Sequence, residues 1–139
     1  MESVPAPCNN LEAFLDGLLR RIEGLTDIYI HDKLGIPMLQ VSTQAKTEEE
    51  SNFSNRVSTA FAIHLEQTEK MQFLGDLKYV LACQSNGYLL QLNVSPLIVT
   101  FYANEKVNIG ELLEILPACK AALEVVRTAV ESIPEVEMG

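Results

Sequence analysis

Residues 28–41, IYIHDKLGIPMLQV, place a histidine–aspartate pair between two short apolar runs. The pair is either part of a catalytic centre or part of a polar turn. Adjacent residues of a strand point to opposite faces, so His31 and Asp32 cannot readily bond each other as a base and its orienting acid. Asp commonly accepts backbone N–H groups within a turn. The stretch therefore predicts a β-hairpin that turns through Asp32 to Gly35.

Pro37 adds information about where this hairpin lies in a sheet. Proline has no backbone N–H to donate, so the second strand is predicted to lie at a sheet edge or to begin at the proline. Three more strands are predicted over residues 77–84, 88–94 and 97–103. Asn86-Gly87 predicts a tight turn between the first two of these strands, because both residues tolerate positive φ.

Apolar residues at helical spacing predict three helices around these strands. The first runs from residue 11 to 22, with Asn9 as its N-cap and Gly24 at its end. The second covers residues 53–65. The third follows residues 109–130 and contains Pro117, where a kink or break is expected. The runs YVLAC and LIVTFYA do not alternate between apolar and polar residues, so the sheet is expected to be covered on both faces.

Bulk properties narrow the class of protein. A chain of 139 residues fits one domain, and we expect a flexible arm over residues 1–9, a domain over 10–132 and a flexible tail over 133–139. The net charge of -9 and the scattered basic residues make nucleic-acid binding improbable. Three cysteines without a CxxC motif, and no signal peptide or membrane span, favour a reduced cytosolic compartment.

Catalytic chemistry finds little support in the sequence. Cys83 could act as a nucleophile with His31 or His64, but it lies in an apolar strand without a cationic neighbour, which favours an inert buried thiol. Cys119 is interpreted in the same way. Two isolated histidines do not supply a metal site, and no paired glycines form a phosphate-binding loop. We therefore expect no enzyme activity and no catalytic, cofactor-binding or metal-binding residues.

An interaction surface is the alternative to chemistry. The strand over residues 77–84 contains no proline, so it could accept another strand at the sheet edge. In the middle helix, Ala60, Ile63 and His64 widen the apolar arc beyond one contact face, which fits either a wide core helix or a face for a partner. The predicted interface comprises Ala60, Ile63, His64, Lys78, Tyr79, Val80, Leu81, Ala82 and Cys83. Proline at Val80 or Leu81 is expected to delete an edge donor and abolish pairing.

Two segments carry a resemblance to a known family. They are IEGLTDIYIHDKLGIPMLQV (residues 22–41) and LNVSPLIVTFYANEKVNIGELLEILP (residues 92–117). Together with the order of elements, they resemble the roadblock (dynein light chain) family, and within it the MAP kinase scaffold subunits of Ragulator complexes. The resemblance implies an α+β sandwich with a five-stranded antiparallel sheet in the order 2-1-5-4-3. The middle helix would cover one face and the terminal helices the other.

The resemblance also implies partners and a location. A second roadblock-like Ragulator subunit would pair with the middle helix and the third strand. A lipid-anchored Ragulator subunit would hold the pair on the cytosolic face of late endosomes and lysosomes, without membrane insertion by this chain. There the complex would recruit Rag GTPases and MEK and support signalling to mTOR. Two rivals stay open: a homodimeric light chain that serves dynein or a small GTPase, and an enzyme that uses Cys83 with a histidine.

Overall fold

The computed structural model describes residues 6–32, 36–43, 70 and 75–131. Within these ranges the elements follow in the order α1 (Ala6–Arg21), β1 (Leu25–Asp32), β2 (Pro37–Ser42), β3 (Tyr79–Gln84), β4 (Gly87–Val94), β5 (Leu97–Asn104), α2 (Ile109–Glu114) and α3 (Leu116–Glu131). The predicted middle helix lies outside the described residues, and so do its three predicted interface residues, Ala60, Ile63 and His64.

The strands form one five-stranded antiparallel sheet in the order β2-β1-β5-β4-β3. This confirms the predicted fold class and strand order. The apolar strands β1, β5 and β4 are internal, whereas β2 and β3 form the two edges. Two-residue turns join β3 to β4 and β4 to β5, as expected for antiparallel neighbours.

The β1–β2 hairpin is closed by two hydrogen bonds between Asp32 and Ile36, and residues 33–35 of the predicted turn lie outside the described residues. The Asp32 carboxylate accepts a 2.9 Å hydrogen bond from the Ile36 backbone N–H. The Asp32 backbone N–H donates in turn to the Ile36 carbonyl at 3.1 Å. Pro37 is the first residue of edge strand β2, where its missing donor costs no ladder hydrogen bond. His31 lies within β1 and is 1% exposed, and Asp32 is the last residue of the strand, so the pair is a strand end followed by a turn, as predicted.

Helix α1 starts earlier than predicted. It begins at Ala6, so Asn9 lies inside the helix and the prediction that Asn9 caps it is wrong. Pro7 does not prevent this start, because proline is tolerated in the first turn, where its missing N–H has no intrahelical partner. At the other end, Gly24 has φ +94°, and a Cβ on it would lie 2.7 Å from the Val107 Cα. Only glycine fits this exit from the helix.

The β3–β4 turn differs from the prediction. Gln84 pairs with Gly87, so the two turn residues are Ser85 and Asn86, and Gly87 is the first residue of β4. Neither turn residue has positive φ. Gly87 is required for another reason: a Cβ at this position would collide with the Ala103 carbonyl oxygen on β5.

The C-terminal helical segment breaks where the sequence predicts. The Asn108 side chain accepts a 3.1 Å bond from the Glu111 N–H and so caps α2. Ile115 separates α2 from α3, and Pro117 lies in the first turn of α3. Proline is tolerated there for the same reason as in α1.

The main core lies between one face of the sheet and the helices α1 and α3. Phe101, Leu15 and Leu123 are fully buried in it, and alternate residues of the strands complete the cluster: Ile28, Ile30, Leu90, Leu92, Val94, Leu97 and Val99. We call this side of the sheet the first face. Burial of these apolar side chains removes them from water and supplies most of the driving force for folding.

The opposite side, which we call the second face, is also buried but more polar. Tyr29, His31 and Thr100 are each no more than 3% exposed. Asp27 is 2% exposed, and its carboxylate accepts a 2.6 Å bond from the Ser42 hydroxyl. A buried carboxylate needs such donors to offset its lost hydration. Burial of both faces confirms the prediction that the sheet is covered on both sides.

Candidate functional site

Strand β3 presents hydrogen-bonding backbone groups at one edge of the sheet. The Asn93 N–H donates to the Lys78 carbonyl at 2.9 Å, which makes Lys78 and Asn93 a hydrogen-bonded pair. Such pairs alternate along an antiparallel ladder, so Val80, Ala82 and Gln84 also turn their backbone groups toward β4. The backbone groups of Tyr79, Leu81 and Cys83 therefore point outward, away from the sheet.

The residues that flank Tyr79, Leu81 and Cys83 limit this series of outward backbone groups at both ends. Before Tyr79, the Leu77 carbonyl accepts a 2.7 Å bond from the Asn93 side-chain amide and is occupied. After Cys83, the next residue of the same parity is Ser85, which lies in the turn. We name Tyr79, Leu81 and Cys83 the outward triad. Its three N–H groups and three carbonyls are a template for one added strand.

The side chains of the outward triad all lie on the same face of the sheet. Tyr79, Leu81 and Cys83 pair with Leu92, Leu90 and Tyr88 of β4, which places their side chains on the first face. Tyr79 is 42% exposed, and Leu81 is half-buried against the core. A partner strand would therefore meet both free backbone groups and apolar side chains.

The predicted interface residues on and beside β3 do not all point outward, as the prediction assumed. Lys78 is exposed and precedes β3, so β3 begins two residues later than predicted. Val80 and Ala82 are half-buried on the second face, and their N–H groups point inward. The prediction that proline at Val80 would delete an edge donor is therefore wrong, whereas for Leu81 the outward geometry supports it.

Asn93 is the residue of this site that the sequence reasoning missed. It bonds both Leu77 and Lys78, and thereby fixes where the free edge begins. The available signal was a polar residue near the end of a largely apolar strand.

The other edge is less suited to accept a strand. Strand β2 starts with Pro37, which has no N–H to donate. Ile36 and Met38 beside it are 55% and 46% exposed. The two edges therefore differ in backbone chemistry, as the sequence predicts.

The two catalytic candidates that the structure describes, His31 and Cys83, do not come together. His31 lies on the second face of β1, whereas the Cys83 side chain lies on the first face of β3. Three strand spacings separate β1 from β3, which is about 14 Å. Cys83 is exposed, so its prediction as a buried thiol is wrong: an apolar run suits an edge strand as well as an internal one. His64 lies outside the described residues.

Cys119 is buried on α3, as predicted. Burial disfavours the thiolate and raises the pKa of Cys119 to about 12, against the opposing effect of the nearby Arg21 charge. The thiol is therefore protonated and unreactive at neutral pH.

The described part of the chain offers neither a cluster of metal ligands nor a membrane-spanning helix. No group of three or more His, Cys, Asp or Glu side chains there could hold a metal ion. None of the helices in those same ranges is long and apolar enough to cross a membrane.

Solved structures share this architecture. The gliding protein MglB of Thermus thermophilus superposes with a TM-score of 0.71 at 14% identity, covering 87% of this chain and 90% of that one. A Roadblock/LC7 domain from Streptomyces avermitilis gives a TM-score of 0.69 at 12% identity, covering 81% and 92%. The fold is therefore the roadblock/LC7 fold, which confirms the resemblance seen in the sequence.

Sequence comparison identifies the family. The model of the family described as mitogen-activated protein kinase kinase 1 interacting matches residues 9–130. The Ragulator complex protein LAMTOR3 homolog of Drosophila melanogaster is 34% identical over 122 residues, which is 88% of this chain and 96% of that protein. Human Ragulator complex protein LAMTOR3 is 28% identical over 124 residues, 88% of this chain and 97% of that protein. The chain belongs to this kinase kinase 1 interacting family.

Proposed function

We propose that this chain is a non-catalytic scaffold subunit that pairs with a second roadblock-like protein through the β3 edge. The outward triad carries the proposal, because Tyr79, Leu81 and Cys83 turn six backbone hydrogen-bonding groups away from the sheet. A strand added there extends the sheet, and contacts between apolar side chains supply further affinity. The proposed interface includes Lys78, Val80 and Ala82 from this region, and Ala60, Ile63 and His64 from the predicted middle helix.

The assembly we propose is a Ragulator complex, because the relatives from Drosophila and human are named as Ragulator complex proteins. A lipid-anchored subunit would hold the pair on late endosomes or lysosomes. From there it would support Rag GTPase recruitment, amino-acid signalling to mTOR and MAP kinase scaffolding. The family description names interaction with a mitogen-activated protein kinase kinase, which supports MEK as a partner.

The absence of catalysis is part of the proposal. It is supported by the separation of His31 from Cys83 on opposite faces and by the protonated Cys119 thiol. Rapid labelling of Cys83 by a thiol reagent is expected simply from its exposure. Turnover of a substrate that is abolished by Cys83→Ser would contradict the proposal.

Mass measurement tests the pairing directly. The full chain is measured alone and mixed with a roadblock-like Ragulator subunit, and we expect a one-to-one complex. Leu81→Pro removes an outward N–H and should abolish or strongly weaken pairing, whereas the matched Leu81→Val keeps that N–H and should pair. A stable lone monomer that refuses the partner contradicts the proposal. A tight homodimer that needs no second subunit would favour the light-chain alternative.

A further inference from the structure

Leu81 is the middle residue of the outward triad. The position of this residue can determine the register of the added strand. Along the described part of the β3 edge, Tyr79, Leu81 and Cys83 turn their backbone groups outward, whereas the Leu77 carbonyl is occupied by Asn93 and Ser85 lies in the turn. An antiparallel pair exchanges two hydrogen bonds at every second residue. A register that pairs all three residues therefore makes more bonds than any slipped one.

The relation between two copies of one fold favours an antiparallel strand. A two-fold axis perpendicular to the sheet pairs equivalent edge strands antiparallel and keeps equivalent faces on the same side. The residue on the axis then faces its own counterpart. An axis at Leu81 pairs all three residues of the outward triad. An axis at Val80 or Ala82 pairs two of them, and an axis at Tyr79 or Cys83 pairs one.

We propose that the partner strand pairs antiparallel in the register that places its counterpart of Leu81 opposite Leu81. This inference rests on the proposed pairing and adds its register. Tyr79 then faces the partner residue that aligns with Cys83, and Cys83 faces the one that aligns with Tyr79. All of these side chains lie on the first face, where Tyr79 is 42% exposed and would be covered.

The register also describes the partner strand that fits. Directly opposite residues of a strand pair contact each other, so a large side chain is best placed across from a small one. The partner strand should carry a small residue opposite Tyr79, an apolar residue opposite Leu81 and a larger residue opposite Cys83.

Disulfide mapping tests the register, with Cys83 as a native reporter. Three partner variants carry a single cysteine at the position that aligns with Leu77, Tyr79 or Leu81. This chain is used as Cys8→Ser, and the buried Cys119 does not compete. Diamide is the oxidant, and it takes up the two protons and two electrons that the two thiols release.

We expect the cysteine aligned with Tyr79 to cross-link to Cys83 about tenfold faster than the other two. Its Cα should lie about 5.5 Å away, within disulfide range, whereas a shift of two residues gives about 7–8 Å. Fastest cross-linking at another position overturns the register. A one-to-one complex by mass with no cross-link at any position overturns the use of the β3 edge. Failure to form a complex overturns the pairing itself.

Discussion

Two neighbouring residues of β3, Ala82 and Cys83, should respond in opposite ways to proline. The Ala82 N–H points inward to the Leu89 carbonyl of β4, whereas the Cys83 N–H points away from the sheet. Ala82→Pro therefore breaks a ladder bond, and Cys83→Pro removes a donor that the chain itself does not use. Cys83 is also exposed, so its replacement loses little packing.

The expected magnitudes separate the two variants clearly. Ala82→Pro loses a hydrogen bond worth about 1 kcal/mol and leaves a carbonyl unpaired at about 1–3 kcal/mol, so the free energy of unfolding should fall by about 2–4 kcal/mol. Cys83→Pro should stay within about 1 kcal/mol of the matched Cys83→Val variant.

Urea unfolding of the full chain, followed by circular dichroism, measures this difference. With an m-value of about 2 kcal/mol per molar, Ala82→Pro should lower the midpoint by about 1–2 M relative to Ala82→Val. Equal destabilisation by the two prolines would refute the assignment of inward and outward backbone groups. Greater destabilisation by Cys83→Pro would show that the Cys83 N–H points inward and the Ala82 N–H outward.

Three further predictions concern the core and the thiols. Gly87→Ala should destabilise the fold by about 1–3 kcal/mol in chemical denaturation, because its Cβ collides with the Ala103 carbonyl; an unchanged midpoint would contradict this contact. Phe101→Ala should cost about 3–5 kcal/mol, since Phe101 is fully buried between sheet and helices; a loss below about 1 kcal/mol would contradict its place in the core. At pH 8, a thiol reagent should label Cys83 quickly and Cys119 only on unfolding, because a pKa of about 12 leaves about one thiolate in ten thousand; equal native rates would contradict this.

Local chemistry made the β1–β2 hairpin predictable from sequence. Asp32 accepts a backbone hydrogen bond within its own turn, and Pro37 carries its edge preference in its covalent structure. Both signals act over a few residues, so no knowledge of the rest of the fold was needed. The break near Pro117 was predictable for the same reason.

Features set by tertiary contacts were harder to predict. Asn86-Gly87 has the composition of a tight turn, yet Gly87 is glycine because β5 approaches it at Ala103. The sequence of β3 does not show which N–H groups point outward, because that depends on the register with β4. Exposure of Cys83 likewise depends on the edge position of its strand.

Amide hydrogen exchange across β3 tests the proposed pairing most directly. It is measured for the full chain alone and in a complex with a roadblock-like Ragulator subunit. We expect the amides of Tyr79, Leu81 and Cys83 to exchange at least about tenfold more slowly in the complex, while Val80 and Ala82 are already protected in the free chain. A complex in which the three outward amides exchange as fast as in the free chain would contradict the central claim.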